Sequence, residues 1–377
     1  MKKILSLVLA LIMICTTLAV FSSCGGGTAD IILITDKGNI DDKSFNQGAW
    51  EGVVEYAKAN NITHKYIKPE EASDAGYLAA IDLAVESGAK IVVTPGYLFE
   101  VAVYEAQKKY PDVKFILLDG APHTADYATY ETKANVASVM YAEEESGYLA
   151  GYAAVKDGYR KLGFMGGMAV PAVQAFGYGF LQGANAAAAE LNLELGDVSV
   201  TYHYTGNFDE NDTNKATAKT MYQEGTEIIF ACGGSVGKSV MAAAAEAGAK
   251  VIGVDVDQRY DSETVVTSAM KGLGSSVIDV LTSIYDNTFA DKYAGKTTYF
   301  TAANNGVGLP TSVIGGGDAF DRFNTFDKAA YDAVFATLAD GTVDPIRTIE
   351  IADANGVATA FELIGELQLT LIDVEVR

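Results

Sequence analysis

The stretch Asp36–Trp50, DKGNIDDKSFNQGAW, gathers three carboxylates (Asp36, Asp41, Asp42), one aromatic ring (Phe45) and two amides (Asn46, Gln47). Such groups accept and donate hydrogen bonds, and a ring among them offers a face for stacking. Four further residues have the same chemical character. Phe208 follows the run Val198–Tyr204, Asp119 follows Phe115–Leu118, Asp255 follows Val251–Val254, and Lys271 follows Met270. Two phenylalanines on opposite sides of a cleft can sandwich a flat ring, and stacking a base on such a ring is worth roughly 1–3 kcal/mol. Carboxylates at strand ends suit the vicinal hydroxyls of a sugar, and a lysine beside them supplies a donor. Each of these residues also has a plainer reading: a ring plugging local core, a helix-capping aspartate, a surface lysine. Asp41 and Asp42 read better as caps for the helix beginning near Ser44 than as ligand groups.

Two motifs resemble catalytic loops and fail on spacing. Gly233–Ser239, GGSVGKS, ends like a phosphate-binding loop, but Cys232 stands where its first glycine belongs. It also contains the Gly-x-Ser-x-Gly of a hydrolase elbow, which needs a later histidine; His64, His123 and His203 all precede it. What remains is either a tight turn or a glycine loop at Gly233 and Gly234 that brings backbone N–H groups to a ligand at a helix start. Asp209–Asn214, DENDTN, lacks the glycine and distal glutamate of a calcium loop and reads as the first turn of a helix. No metal-ligand spacing, cofactor motif or catalytic set is visible. Phe176 rivals Phe208 as a stacking ring, but Tyr178 and Phe180 crowd the same helix.

The elements that must position these residues alternate regularly. Apolar runs at Ile31–Ile34, Thr63–Ile67, Lys90–Thr94, Lys114–Leu118 and Ala134–Tyr141 are separated by amphipathic stretches at Phe45–Asn60, Ala75–Ser87 and Tyr97–Lys109. After a helix over Glu143–Lys156, the series repeats with strands at Leu162–Met165, Val198–Tyr204, Glu227–Ala231 and Lys250–Val254. Its helices are Pro171–Leu191, Glu210–Gln223 and Lys238–Ala247. Strand–helix alternation of this kind makes parallel sheets. The expected fold is α/β, with two doubly wound parallel-sheet domains. Strands at Thr264–Met270 and Thr297–Ala303 flank a helix at Ser275–Tyr285 and join the domains as hinges. Thr325–Leu338 is a last helix, and the chain beyond Asp340 has no firm placement. The expected boundaries are 30–141 plus 268–303 for one lobe and 142–267 plus 304–377 for the other.

The first residues are an address. Lys2 and Lys3 precede an apolar run, Ile4–Phe21, then Ser22-Ser23-Cys24 and three glycines, as in a cleaved signal peptide over 1–23. Small residues before a lone cysteine resemble a lipoprotein box, so Cys24 is the expected lipid site and 24–29 a short leash. A plain secretion signal and a membrane span are the alternatives. Acyl chains gain about 0.8 kcal/mol per buried CH₂, enough for a firm tether when two or three are present. Beyond Cys15 and Cys24 only Cys232 remains, so the fold has no internal disulfide. A formal charge of −22 argues against nucleic-acid polymers and against attraction to anionic lipid.

DKGNIDDKSFNQGAWEG, GFMGGMAVPAVQAFGYGFLQGANAA, IIFACGGSVGKSVMAAAAEAGAKVIGVDVDQ and TSAMKG together resemble the basic membrane protein, or PnrA-like, lipoproteins: substrate-binding proteins of nucleoside ABC importers. The resemblance covers most of Asp30–Gly308; Ile349–Arg377 lies outside it. It implies a type I periplasmic-binding-protein fold with a purine nucleoside in the cleft. It implies that Phe45 and Phe208 stack the base, with Asp36 and Asn46 at its polar edge; Ser44, next to Phe45 at a place where relatives vary, is a further candidate contact. Asp255 and Lys271 would hold the ribose, with Asp119 and the Gly233–Gly234 backbone close by. The partners implied are an ABC permease and ATPase, and the place is the extracytoplasmic face of the cell membrane. A sugar-type or other small-polar-ligand binding protein, or a ligand-sensing receptor subunit, is the alternative to importing nucleosides; a nucleoside hydrolase ranks behind these.

Overall fold

The computed structural model describes residues 28–349 and 360–377. The expected signal peptide, Cys24 and most of the leash lie outside the described residues. Along the chain the strands and helices run β1 Ile31–Ile34, α1 Phe45–Asn60, β2 His64–Ile67, α2 Asp74–Glu86, β3 Ile91–Pro95, α3 Glu100–Lys109, β4 Lys114–Leu118 and β5 Val136–Tyr141. Then come α4 Glu143–Lys156, β6 Lys161–Gly166, α5 Pro171–Glu190, β7 Val198–Tyr204, α6 Asp212–Gln223, β8 Ile228–Cys232, α7 Val236–Ala247, β9 Lys250–Asp255 and β10 Val265–Lys271. The rest is α8 Leu273–Tyr285, α9 Phe289–Lys292, β11 Lys296–Phe300, β12 Val307–Gly308, α10 Lys328–Ala339, α11 Ala360–Gly365 and β13 Ile372–Val376.

These strands form two sheets, ordered β11-β5-β4-β3-β1-β2 and β12-β10-β9-β8-β6-β7-β13. Every pairing is parallel except β12 against β10. Parallel sheets need helices on both faces, which is why β1 and β8 are apolar along their whole length, β3 is apolar but for Thr94, and all three are buried at every residue. In the first sheet the order reverses between β1 and β3, and in the second between β6 and β8. A crevice opens beyond the strand ends at such a reversal.

The chain crosses between lobes three times: from β5 into α4, from β10 into α8, and from β11 into β12. The middle crossing corrects the expected boundary. β10 stays in register with β9 through Met270, so the chain leaves the second sheet after Lys271 rather than at 268. The three crossings are laced together, since Ala142 N donates to Phe300 O (2.9 Å) and Gly272 N to Gly306 O (2.7 Å).

Inside the second lobe α4 and α5 touch backbone to backbone. A Cβ on Gly147 would lie 2.1 Å from Phe176 O, and one on Gly183 would lie 2.0 Å from Tyr148 O. No real Cβ fits there, so these positions require glycine to bring the helices together. The tail, unplaced from sequence, adds β13 as a parallel edge strand beside β7.

Candidate functional site

The loop after β1 is organised by Asp42, which is buried. Its carboxylate accepts from the N–H groups of Ser44 (2.9 Å), Asn46 (3.0 Å) and Gln47 (3.1 Å), satisfying the free donors of the first turn of α1. It also receives Asn46 Nδ2 at 2.8 Å. Asn46 in turn gives Nδ2 to Asp36 Oδ1 (2.8 Å) and takes the Asp36 N–H on its Oδ1 (3.1 Å). Asp41 stays exposed. Burial pushes the Asp36 carboxyl up to about 6, against the lowering pull of its bonds from Gly38 N and Asn46 and with help from the charges of Asp42 and Asp255. The floor beside Asp36 and Phe45 is Gly96 at the end of β3, with φ of +114°; a Cβ there would sit 3.4 Å from Asp36 Oδ2 and 3.7 Å from the Phe45 ring. Asp36, Phe45 and Asn46 therefore stand at the first reversal point.

Phe208 reaches the second reversal point by a different route from the one that brings Phe45 to the first. Phe45 follows β1, the strand at the reversal. Phe208 follows β7, whose place in its sheet matches that of β2. Its ring nonetheless lies over Gly167, the residue after β6: a Cβ on Gly167 would come within 2.4 Å of it, and one on Gly233 within 3.5 Å. Gly234 has φ of +52°, and Val236 N bonds back to Gly233 O (3.0 Å), so the glycine turn opens α7 directly beneath Phe208. Phe176 is core: 2 % exposed and edge-on to Phe230 at 5.9 Å. Asn211 caps α6 through Asn214 N (2.8 Å), which accounts for the DENDTN stretch.

Between the two aromatic rims lies a cluster of buried charge. Lys271 is 5 % exposed at the end of β10. Its ammonium bonds Asp119 and lies 3.0 Å from Glu143 Oε1. It also stands 5.0 Å from the centre of the Phe45 ring, 5.4 Å from Tyr141 and 5.4 Å from Phe176, within cation–π range of all three. Asp119 and Asp255 close β4 and β9 in the left-handed region, with φ of +54° and +67°. That conformation is costly for a residue with a side chain and turns each carboxylate off its strand toward the cleft. Asp119 Oδ1 is buried without a hydrogen-bond partner among the described residues.

Burial drives Asp119 up to about 7 even though Lys271 pulls it down, because Glu143 and Asp255 add negative charge. Burial likewise raises Asp255, opposed by Lys271 and by the bond from Ser44. Burial alone would lower the lysine, but Asp119, Glu143 and Asp255 raise it well above its usual value. The directions agree because three carboxylates share one ammonium.

Three contacts join the lobes at the mouth. Ser44, fully buried, donates its hydroxyl to Asp255; Gln258 Nε2 donates to Lys43 O at 2.8 Å; and Lys43 Nζ lies 3.7 Å from Asp261. A crevice of about 390 Å³ between α1 and the start of α8 reaches Asp255 and Lys271 from outside. Among the described residues no cluster of His, Cys, Asp or Glu is arranged to hold a metal ion, and no helix is long and apolar enough to cross a membrane.

The profile of the ABC transporter substrate-binding protein PnrA-like family matches residues 29–338. The chain belongs to this family. Among PnrA-like relatives, the ABC transporter nucleoside-binding protein BmpA of Lactococcus lactis is 30% identical over 300 residues, spanning 74% of this chain and 80% of the relative. Basic membrane protein A of Borreliella burgdorferi is 30% identical over 319 residues, spanning 84% and 87%. In fold the chain is similar to a solute-binding protein of an Aeropyrum pernix ABC transporter system, with a TM-score of 0.72 at 21% identity, covering 85% of this chain and 94% of that one. The two-lobed α/β architecture of the PnrA-like chain is thus that of the solute-binding proteins. As a member of the family it is a substrate-binding protein of the ABC transporter type, a class that works outside the cytoplasm by binding rather than catalysis.

Sequence reasoning missed several residues that build this site. Glu143 showed in the sequence only as the first residue of the helix expected over Glu143–Lys156. Arg347, beyond the recognised stretch, lies 2.7 Å from Glu143 Oε2. Gly96 carried no signal apart from sitting just past a strand end, and Gln258 closed a family motif without any role being assigned to it.

Proposed function

We propose that this chain captures a purine nucleoside between its lobes and delivers it to an ABC permease and its ATPase. The observation that carries the reading is the placement of Lys271, with Asp119 and Asp255, between a Phe45 rim on one lobe and a Phe208 rim on the other. A base is flat and apolar on its faces; a ribose carries adjacent hydroxyls. The aromatic rims suit the first and the carboxylate–ammonium cluster the second. Asp36 and Asn46 lie at the base's polar edge, Ser44 and Asp255 meet across the mouth, and the Gly233–Gly234 turn offers backbone donors at the start of α7. The nucleoside-binding BmpA relative supports the ligand class. Closure follows from tighter binding to the closed arrangement. A lipid on Cys24 tethers the protein to the outer face of the cell membrane.

Isothermal titration with inosine, adenosine, guanosine, uridine and ribose tests this. Binding of a nucleoside well below about 1 mM, with ribose much weaker, is expected; equal binding of ribose and inosine would point to a sugar-type ligand, and no binding by any nucleoside would sink the reading.

A further inference from the structure

Arg347 lies beyond the part of the chain that the family profile matches, residues 29–338, yet its side chain reaches the charge cluster at the floor of the cleft. Its main chain belongs to the second lobe: Gln182 on α5 donates to Ile346 O (3.0 Å) and accepts from Ile346 N (2.8 Å). Its guanidinium reaches the first crossing between lobes. One nitrogen, Nη1, donates to Tyr141 O (2.6 Å) and to Glu144 Oε2 (2.6 Å) and lies 2.7 Å from Glu143 Oε2. That last contact is a close ion pair. The ring of Tyr299 on β11 backs the guanidinium at 6.0 Å.

The other oxygen of Glu143 is the one that holds Lys271. A line of alternating charge therefore runs from the hinge to the cleft: Arg347, Glu143, Lys271, Asp119. Glu143 is 1 % exposed and adjoins Glu144 at the start of α4. Burial raises Glu144 to about 7, with Arg347 opposing and Glu143 adding to the rise. Glu145 and Asp344 bring more negative charge to the same corner. Arg347 is the cation that offsets this crowd from the hinge side.

We propose that Arg347 is a positioning residue for the ligand cleft, holding the Glu143 carboxylate in place so that the Lys271 ammonium is shared between Glu143 and Asp119. Without the guanidinium, the adjacent Glu143 and Glu144 carboxylates repel and Glu143 turns away from Lys271. Lys271 then has one strong partner, collapses onto Asp119, and is lost to the ligand. The proposal rests on the nucleoside reading for its binding consequence but not for its electrostatic one.

All three polar contacts come from a single nitrogen, so an ammonium can replace the guanidinium here. Arg347→Gln keeps a donor for Tyr141 and removes the charge; Arg347→Lys keeps the charge. Inosine titration at neutral pH should show Arg347→Gln weakened at least about tenfold and Arg347→Lys within about threefold of the unaltered protein. Gln182→Ala, which loosens only the backbone tie, should bind like the unaltered protein. A lysine variant as weak as the glutamine one, or a Gln182→Ala loss as large, overturns the proposal.

A second arm uses no ligand. Loss of Arg347 removes the charge that opposes the rise of Glu144, so the unfolding midpoint of Arg347→Gln falls more steeply between about pH 6 and 8 than that of the unaltered protein, with Arg347→Lys parallel to it. Parallel slopes for all three overturn the proposal. Failure of the unaltered protein to bind any nucleoside strikes the proposed function alone and leaves this arm to decide.

Discussion

Gln258, 1 % exposed, gives its side-chain amide to the main-chain carbonyl of Lys43, 2.8 Å away on the other lobe. The same side chain accepts Val254 N at 3.1 Å, so it fixes the turn after β9 while it clasps the opposite rim. Lys43 meets it from the left-handed region, with φ of +63°, which aims its carbonyl across the mouth. Gln258→Ala removes the clasp and leaves a carbonyl unpaired in the closed state. Nucleoside affinity should fall by about 1–3 kcal/mol. Solution scattering should show a larger radius for the ligand-free variant. Unchanged affinity and radius would mean that the contact does not hold the lobes.

Phe45 and Phe176 separate stacking from packing. Phe45 is half-buried at the cleft rim, whereas Phe176 is sealed among Phe230 and its neighbours. Phe45→Ala should cost about 1–3 kcal/mol in nucleoside affinity with the fold intact. Phe176→Ala should instead cost about 3–5 kcal/mol of stability. Paired titration and denaturant melts check both; a Phe45 variant that loses stability as much as affinity would place that ring in the core.

The sequence made most strands and most of the binding loop legible, because the central parallel strands are largely apolar and Phe45 sits between one such run and an amphipathic helix. Asp119 and Asp255 were legible as strand-ending carboxylates. Their left-handed backbones were not, since aspartate tolerates that conformation without requiring it. The lobe boundary was set at 268, a few residues before β10 ends, because the strand's run gives no mark where the chain leaves the sheet. Arg347 was out of reach for a different reason: it meets Glu143 and Tyr141 only through the folded return of the tail, and no local pattern encodes such a contact.

The cleft carboxylates predict an unusual pH response. Asp36 is raised to about 6, and Asp119 and Glu144 to about 7. Each binds a proton more tightly folded than unfolded, so the folded state holds more protons in this range and stability falls as pH rises. The ligand-free protein should therefore melt at least about 3 °C lower at pH 8 than at pH 5. Asp36→Asn should flatten the lower part of that slope. Calorimetry across the range checks it, and a midpoint that rises with pH would contradict the charge distribution described here.

Lys271→Met leaves Asp119 and Glu143 buried without their shared cation. Removing one partner from a buried ion pair costs about 3–5 kcal/mol. Part of this should return on acidification, as Asp119, no longer held down by the lysine, takes up a proton. Denaturant melts at pH 5 and pH 8 compare the two states; an equal loss at both would mean that the lysine matters for its bulk.

All three crossings leave from matching margins of the two sheets, where β11 lies beside β5 and β12 beside β10. Two main-chain bonds bind them to one another, and the glycine contact between α4 and α5 stiffens the second lobe up to the point where the chain enters it. A joint built this way leaves the lobes one soft coordinate, a swing about that margin, with sliding and twisting held stiff. The ligand therefore has little relative motion to arrest when the cleft shuts. Most of its contact energy can go into affinity, because the entropy of ordering two bodies was lost when the chain folded.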